Sequence, residues 1–162
     1  MRSLRSDEAA EEEGKKEEEI RIFVERRDMP VISEEIKTFL REYLVFVATV
    51  DAKGMPNVVP KGNIAVLDDD SLVFADLYSH QTKKNLLKNP KIAISVVNPA
   101  SYKGYQLKGK AEIIKKGKAY EKLAQETHGS GQLLHPDAKY AVKVKVTKII
   151  DIGYGETADK EL

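Results

Sequence analysis

The segment LVFVATVDAKGMPNVVPKGNIAVLDDDSLVFADLYSHQTKKNLLKNPKIAISVV, residues 44–97, alternates apolar runs with short polar turns. Its first run, Leu44–Val50, is rich in valine and contains phenylalanine, which predicts a buried strand. After the turn at Asp51–Gly54, Asn57–Leu67 is predicted to form a second strand and Ser71–Leu77 a third. Because the turns are too short for helical crossovers, the three strands are predicted to form an antiparallel meander.

The flanking segments extend this pattern. Upstream, Ser33 is predicted to cap a helix whose apolar residues lie on one face, namely Ile36, Phe39, Leu40 and Tyr43. Downstream, two helices are predicted at 82–88 and 115–127, and three strands at Lys91–Val97, Gly104–Ile114 and Tyr140–Ile152. Gly109 is expected to mark a bulge or a close approach of the backbone. The sequence therefore predicts a mainly β (α+β) fold, a small barrel of six antiparallel strands with short flanking helices.

The amino-acid composition limits the classes of protein to which the chain can belong. The chain has 162 residues, of which 41% are hydrophobic and 33% charged, enough for one domain with a real core. The absence of cysteine excludes disulfides, thiolate metal sites and a cysteine nucleophile. No apolar run approaches the ~18 residues of a membrane span, and the first twenty residues do not resemble a secretory signal. We therefore expect a cytoplasmic location.

The first nineteen residues differ from the rest of the chain. They contain four basic and eight acidic side chains and one large apolar residue, Leu4. Such a segment buries too little to offset its ordering entropy, which predicts a solvated, disordered or frayed tail before a single domain at 20–162. An acidic interaction arm is the alternative. The domain itself has a small positive charge, which is mild for a nucleic-acid binder and compatible with an anionic small ligand.

The residues that could perform catalysis are few. The three histidines, His80, His128 and His135, show no metal-ligand spacing, so no metal site is expected. No nucleophile elbow, P-loop or dinucleotide-binding glycine motif is present. A catalytic triad depends on geometry, and nothing in the sequence supports one. The catalytic residues are therefore unknown, and an enzyme built on this chain would take its chemistry from a cofactor.

A candidate anion site lies at residues 78–84, a polar segment that leaves a strand and enters a helix. The N-terminus of a helix offers free N–H groups and a partial positive charge, which suit a phosphate. Further donors are supplied by Ser79, Gln81, Thr82, Lys83 and Lys84. The alternative is that Ser79 or Thr82 simply caps the helix.

A second unusual feature is Lys61-Gly62-Asn63, which interrupts the otherwise apolar strand Val58–Leu67. Glycine weakens a strand, and a buried lysine requires an anion. This favours a site for a negatively charged group. The alternative is an edge strand whose lysine points into water.

The order of these segments closely resembles the FMN-binding split barrel of the pyridoxamine 5′-phosphate oxidase-like family. The shared features are a D-x-x-G-x-P turn at 51–56, a V-V-P strand at 58–60, a polar Q-T turn at 81–82, an N-L-x-x-N-P helix end at 85–90 and the later GYQLKGKAEII at 104–114. The resemblance covers about Glu34 to Ile152 and excludes the acidic first nineteen residues.

The resemblance implies a six-stranded antiparallel split β-barrel and a homodimer with two FMN molecules at the subunit interface. It places the flavin against Val59, Pro60, Lys61 and Gly62 on the second strand, against Ala75, Asp76 and Leu77 at the end of the third, and against Ser79, Gln81 and Thr82 at the phosphate. Many relatives have arginine or lysine where Gln81 stands, so Lys61, Lys83 or Lys84 must supply that charge.

The activity implied is that of a small oxidoreductase or electron-transfer protein with an unknown redox partner or small-molecule substrate. A true vitamin B6 oxidase is not expected, because no arginine or histidine follows His135, where such enzymes carry substrate motifs. Relatives that bind a deazaflavin or haem share the barrel. A cofactor-free nucleic-acid module is the alternative of another class, but the chain has no tryptophan and one aromatic–basic cluster, at 102–108. We expect neither a nucleic-acid nor a membrane partner.

Overall fold

The computed structural model describes residues 12, 14–19, 21, 30–62, 64–76, 80–129 and 140–162, with the backbone alone for 124–129. The helices are α1 (Glu34–Glu42), α2 (His80–Lys88) and α3 (Lys118–Gly129). The strands are β1 (Val45–Val50), β2 (Pro56–Lys61), β3 (Ile64–Val66), β4 (Ser71–Ala75), β5 (Lys91–Asn98), β6 (Lys103–Ile114) and β7 (Ala141–Asp151). The described residues of the acidic segment, 12 and 14–19, are helical and exposed.

Within the described ranges the strands form one antiparallel sheet in the order β2-β1-β5-β6-β7-β4-β3. The strands β2 and β3 occupy its two edges, although only residues 62 and 63 separate them along the chain. A link of that length spans about 10 Å at most. The sheet must therefore curl until its edges approach each other, which produces a barrel that is split where the chain passes from one edge to the other. The predicted mainly β barrel is confirmed.

The strand count differs from the predicted six because Asn57–Leu67 is not one strand. The chain leaves the sheet after Lys61, which pairs with Val45 of β1, and re-enters it at Ile64, which pairs with Phe74 of β4. The two halves thus belong to opposite edges of the sheet. Apolar residues continue on both sides of the break, so the local pattern carries no sign of the change of partner.

The core fills the interior of the barrel, where alternate residues of the strands are buried, among them Val45, Val47, Phe74, Ile94, Val96, Leu107, Val142 and Val144. The helix α1 packs against β3 and β5. As predicted, the Ser33 hydroxyl caps this helix by accepting a hydrogen bond from the Ile36 N–H at 3.3 Å. The predicted apolar face of α1 is also buried and contributes Ile36, Phe39 and Leu40 to the core.

The other two helices position the candidate site. The helix α2 packs on β1 and β6, and α3 packs on β3 and β4.

The predicted close approach at Gly109 is confirmed, because the register of β6 and β7 shifts between Lys108 and Gly109. A Cβ atom at Gly109 would lie 2.1 Å from the carbonyl oxygen of Lys145.

Candidate functional site

The candidate residues at the ends of β2 and β4 meet in a buried ion pair. The Lys61 Nζ lies 2.5 Å from the Asp76 Oδ1, and the two side chains are 7% and 0% exposed. The edge-strand interpretation required Lys61 to point into water. The lysine is instead buried, so that interpretation is wrong. The anion that a buried lysine needs is present, and it is a carboxylate of the chain itself.

A third side chain completes this cluster. The Tyr140 hydroxyl, just before β7, donates a hydrogen bond of 2.7 Å to the Asp76 Oδ2. Burial, followed by the hydrogen bond to Asp76, raises the pKa of Tyr140 well above the usual tyrosine range. The phenol therefore stays protonated and serves as a donor. Sequence reasoning missed Tyr140, which stands out only as the first residue of an alternating strand pattern. We call Lys61, Asp76 and Tyr140 the buried cluster.

The helix α2 contacts the buried cluster through Lys83. The Lys83 Nζ lies 4.6 Å from the centre of the Tyr140 ring, within the range of a cation–π interaction. This contact places the first turn of α2 beside the ends of β2 and β4. It connects Lys61 and Asp76 to the start of α2, the two parts of the predicted site.

Three uncharged polar side chains of α2 form hydrogen bonds within the protein. Thr82 is fully buried, and its Oγ1 accepts a hydrogen bond from the Asn57 Nδ2 at 3.4 Å. The Gln81 Nε2 donates to the Asn85 Oδ1 at 2.7 Å, and the Asn85 Nδ2 donates to the Thr49 Oγ1 at 3.0 Å. Thr82 is the third residue of the helix and therefore not its cap. These bonds anchor α2 on β1 and β2.

The start of α2 remains suited to an anion because of its backbone and its charge. The first N–H groups of a helix lack intrahelical partners, and no acidic residue lies in this first turn. Lys83 and Lys84 follow directly, and Lys84 is exposed. Two further candidates, Leu77 and Ser79, lie outside the described residues.

The remaining candidates line the edge strand β2 and the end of β4. Val59 and Ala75 are half-buried, whereas Pro60 and Gly62 are exposed. A Cβ atom at Gly62 would meet no atom of the described residues within 4 Å, apart from its chain neighbours, so a ligand could approach the backbone there. Prolines at 56 and 60 also prevent another strand from pairing along β2. Among the described residues, no further strand pairs with this edge of the sheet.

The family model for pyridoxamine 5′-phosphate oxidase matches residues 32–152, which include the entire barrel and every candidate residue. The chain belongs to this family. The resemblance of the sequence is therefore confirmed, as is the split-barrel fold. The match to the family model begins at Ile32, so the acidic segment lies outside it.

Three relatives illustrate the breadth of the family fold. The uncharacterised protein MJ0282 of Methanocaldococcus jannaschii is 38% identical over 133 residues, which are 80% of this chain and 86% of that protein. The crystal structure of HupZ from Group A Streptococcus is 32% identical with a TM-score of 0.69, over 78% of this chain and 98% of HupZ. An FMN-binding protein from Syntrophomonas wolfei shares the fold at 16% identity, with a TM-score of 0.67 over 89% of this chain and 98% of that one.

The fold is thus one that flavin-binding proteins use. In the part of the chain that the structure describes, no three histidine, aspartate or glutamate side chains lie close enough together to hold a metal ion. No helix within the described ranges is both long and apolar enough to cross a membrane.

Proposed function

We propose that this protein binds FMN in the split of its barrel and acts as a small oxidoreductase or electron-transfer protein. The observation that carries the proposal is the family match over residues 32–152, which includes all the candidate residues of β2, β4 and α2. Bound FMN would supply hydride or one-electron transfer, which the side chains of this chain do not provide themselves. Cytoplasmic location and an unknown redox partner or small substrate are parts of the same proposal.

The phosphate is assigned to the first turn of α2. FMN carries close to two negative charges on its phosphate, and Asp76 already balances the charge of Lys61. Lys83 and Lys84 then become the cations that compensate for the missing arginine or lysine at Gln81, together with the first N–H groups of the helix. Thr82, which is fully buried, would act by fixing the position of α2 rather than by reaching the ligand.

The flavin ring is assigned to the edge of β2. The open approach to the backbone at Gly62 fits a flat ligand, and Val59 on the same strand is half-buried. Ala75, the last residue of β4, is also half-buried. The buried cluster would stabilise the backbone beside the ring, since it links the end of β2 to the end of β4 and the start of β7.

FMN binding is tested by titrating the purified full chain and following the quenching of flavin fluorescence. We expect saturable binding of FMN and at least tenfold weaker binding of riboflavin, which lacks the phosphate. Replacing both Lys83 and Lys84 with glutamine should weaken FMN by about tenfold and leave riboflavin unchanged. Lys116→Gln, an exposed change in the turn before α3, is the matched control.

The outcomes of this titration separate the alternatives. Binding of a 5-deazaflavin nucleotide or of haemin in preference to FMN would replace the proposed cofactor. A colourless protein with affinity for none of the three would leave the cofactor-free binding module. Equal affinities for FMN and riboflavin would refute the phosphate assignment at α2 and retain the flavin.

We also propose a homodimer, formed through an apolar patch on the outer face of β2, β1 and β5. The patch comprises Phe46, Val58, Pro60 and Val97, and Phe46 lies opposite both Pro60 and Ser95 in the register. Phe46 and Val58, diagonal neighbours in the register of β1 and β2, are 43% and 60% exposed, which marks a candidate contact surface. Pro60 belongs both to this patch and to the candidate flavin edge, so a partner seated here would lie beside the flavin.

The dimer is tested by Phe46→Asp, which places a charge in the centre of the patch. We expect sedimentation to show a dimer for the unmodified chain at micromolar concentration and a rise of at least about 30-fold in the dissociation constant of the variant. Tyr154→Asp is the control, because Tyr154 is 96% exposed and lies outside the patch. A monomeric unmodified protein with flavin bound would contradict the proposal.

A further inference from the structure

A pocket of about 330 Å³ lies between α1, β3 and the start of α3, apart from the flavin residues. Its floor is apolar and includes Leu40, Ile64 and Val66. Leu40 belongs to the main core, and the two β3 residues pack against that core while remaining partly accessible. None of the residues of the buried cluster lines this pocket. The floor can therefore receive the apolar part of a small molecule without disturbing the proposed flavin site.

The wall contributed by α3 presents an ammonium group. The Lys122 Nζ donates a hydrogen bond of 2.6 Å to the Val66 carbonyl oxygen, and the Leu67 carbonyl oxygen lies at 3.5 Å. Carbonyl groups orient an ammonium but do not neutralise its charge. Among the described residues, no carboxylate forms an ion pair with Lys122. The ammonium therefore lines the pocket without an ion-paired carboxylate among the described residues.

The helix α1 contributes a second cation to the lining, Arg41, which also interacts electrostatically with Glu34. The Arg41 guanidinium donates to the Thr38 Oγ1 at 3.2 Å, and within the described ranges it forms no ion pair. Lys37 also lines the pocket, but Glu34 and Asp69 lie 2.8 and 3.6 Å from its Nζ and compensate its charge. The carboxylate in the lining, Asp68, is exposed and offsets part of the remaining charge.

We propose that this pocket binds a small amphipathic anion, with its carboxylate or phosphate between Lys122 and Arg41 and its apolar body on Leu40, Ile64 and Val66. The volume lies at the lower end of the ~300–1,000 Å³ typical of small-molecule sites, so the ligand is small. Apolar walls with a few convergent charged groups are the usual composition of such sites. The inference is independent of the flavin, because it uses none of the residues assigned to FMN.

Calorimetric titration of the full chain with octanoate, octyl phosphate and octanol tests the pocket, in the presence of saturating FMN. We expect one octanoate or octyl phosphate per chain, with octanol binding at least about fivefold more weakly because it lacks the charge. Lys122→Gln and Arg41→Gln should each weaken the anion by roughly five- to tenfold. Lys116→Gln, which removes an exposed lysine outside the pocket, should not change the affinity.

Three results would overturn the proposal: octanol binding as tightly as octanoate, unchanged affinity in both variants, or release of FMN by octanoate. The last would show that the anion occupies the flavin site. Because Arg41 is exposed, Arg41→Gln should fold. It therefore still tests the proposal if Lys122→Gln fails to fold. A shared loss of octyl phosphate and octanoate binding in Arg41→Gln supports one anion site for both chemistries.

Discussion

Replacing Asp76 with alanine is expected to lower the free energy of unfolding by about 3–5 kcal/mol, a large part of the stability of a domain of this size. The substitution leaves the Lys61 ammonium, which is buried with it, without its carboxylate. It also leaves the Tyr140 hydroxyl without its acceptor. Urea unfolding followed by circular dichroism measures the loss.

Two further variants distinguish the contribution of the ion pair to stability from a simple loss of packing. Tyr140→Phe removes one hydrogen bond and should cost only about 1 kcal/mol. The double variant Lys61→Met with Asp76→Leu replaces the pair with apolar side chains and should recover much of the loss, since an uncompensated charge no longer has to be buried. A loss below about 1 kcal/mol in Asp76→Ala would show that water solvates the pair, contrary to the burial of both side chains.

The locally encoded parts of the fold could be predicted from the sequence. The cap at Ser33 and the apolar face of α1 depend on neighbours within four residues, and both are confirmed. The break between β2 and β3 could not be predicted, because it depends on which remote strand each half pairs with. Lys61 and Ile64 are three positions apart in the sequence and pair with opposite ends of the sheet order.

The same limit applies to the candidate site: its local features could be predicted from the sequence, whereas its contacts between remote residues could not. The sequence indicated that a lysine inside an apolar strand needs an anion, and the structure supplies Asp76, fifteen residues away. It gave no sign of Tyr140, which lies 64 residues from Asp76. Thr82 was predicted to donate to a phosphate because of its position before a helix. Its burial against Asn57 depends on the packing of α2 on the barrel, which no local pattern encodes.

The second large effect is expected at Gly109, where the register of β6 and β7 shifts and the backbone of β7 lies close. An alanine Cβ there would lie 2.1 Å from the Lys145 carbonyl oxygen and 3.1 Å from the Val146 Cα. These are backbone atoms of a paired strand, so they cannot move aside as a flexible side chain would. We expect Gly109→Ala to cost about 3 kcal/mol or more in urea unfolding. A change within about 0.5 kcal/mol would mean that the bulge absorbs the methyl group by shifting its register.

Gly62→Ala is the matched control, and it tests the flavin site as well. A Cβ at Gly62 meets no atom within 4 Å in the described part of the chain, its sequence neighbours aside, and the φ of Gly62 lies outside the left-handed region that favours glycine. The stability of Gly62→Ala should therefore stay within about 0.5 kcal/mol of the unmodified protein.

If the flavin lies against the backbone at Gly62, the added methyl group will occupy space that the ligand needs. We then expect FMN and riboflavin affinities to fall together by about tenfold, since the contact involves the ring rather than the phosphate. Unchanged affinities for both flavins would remove Gly62 from the site and place the ring farther along β2.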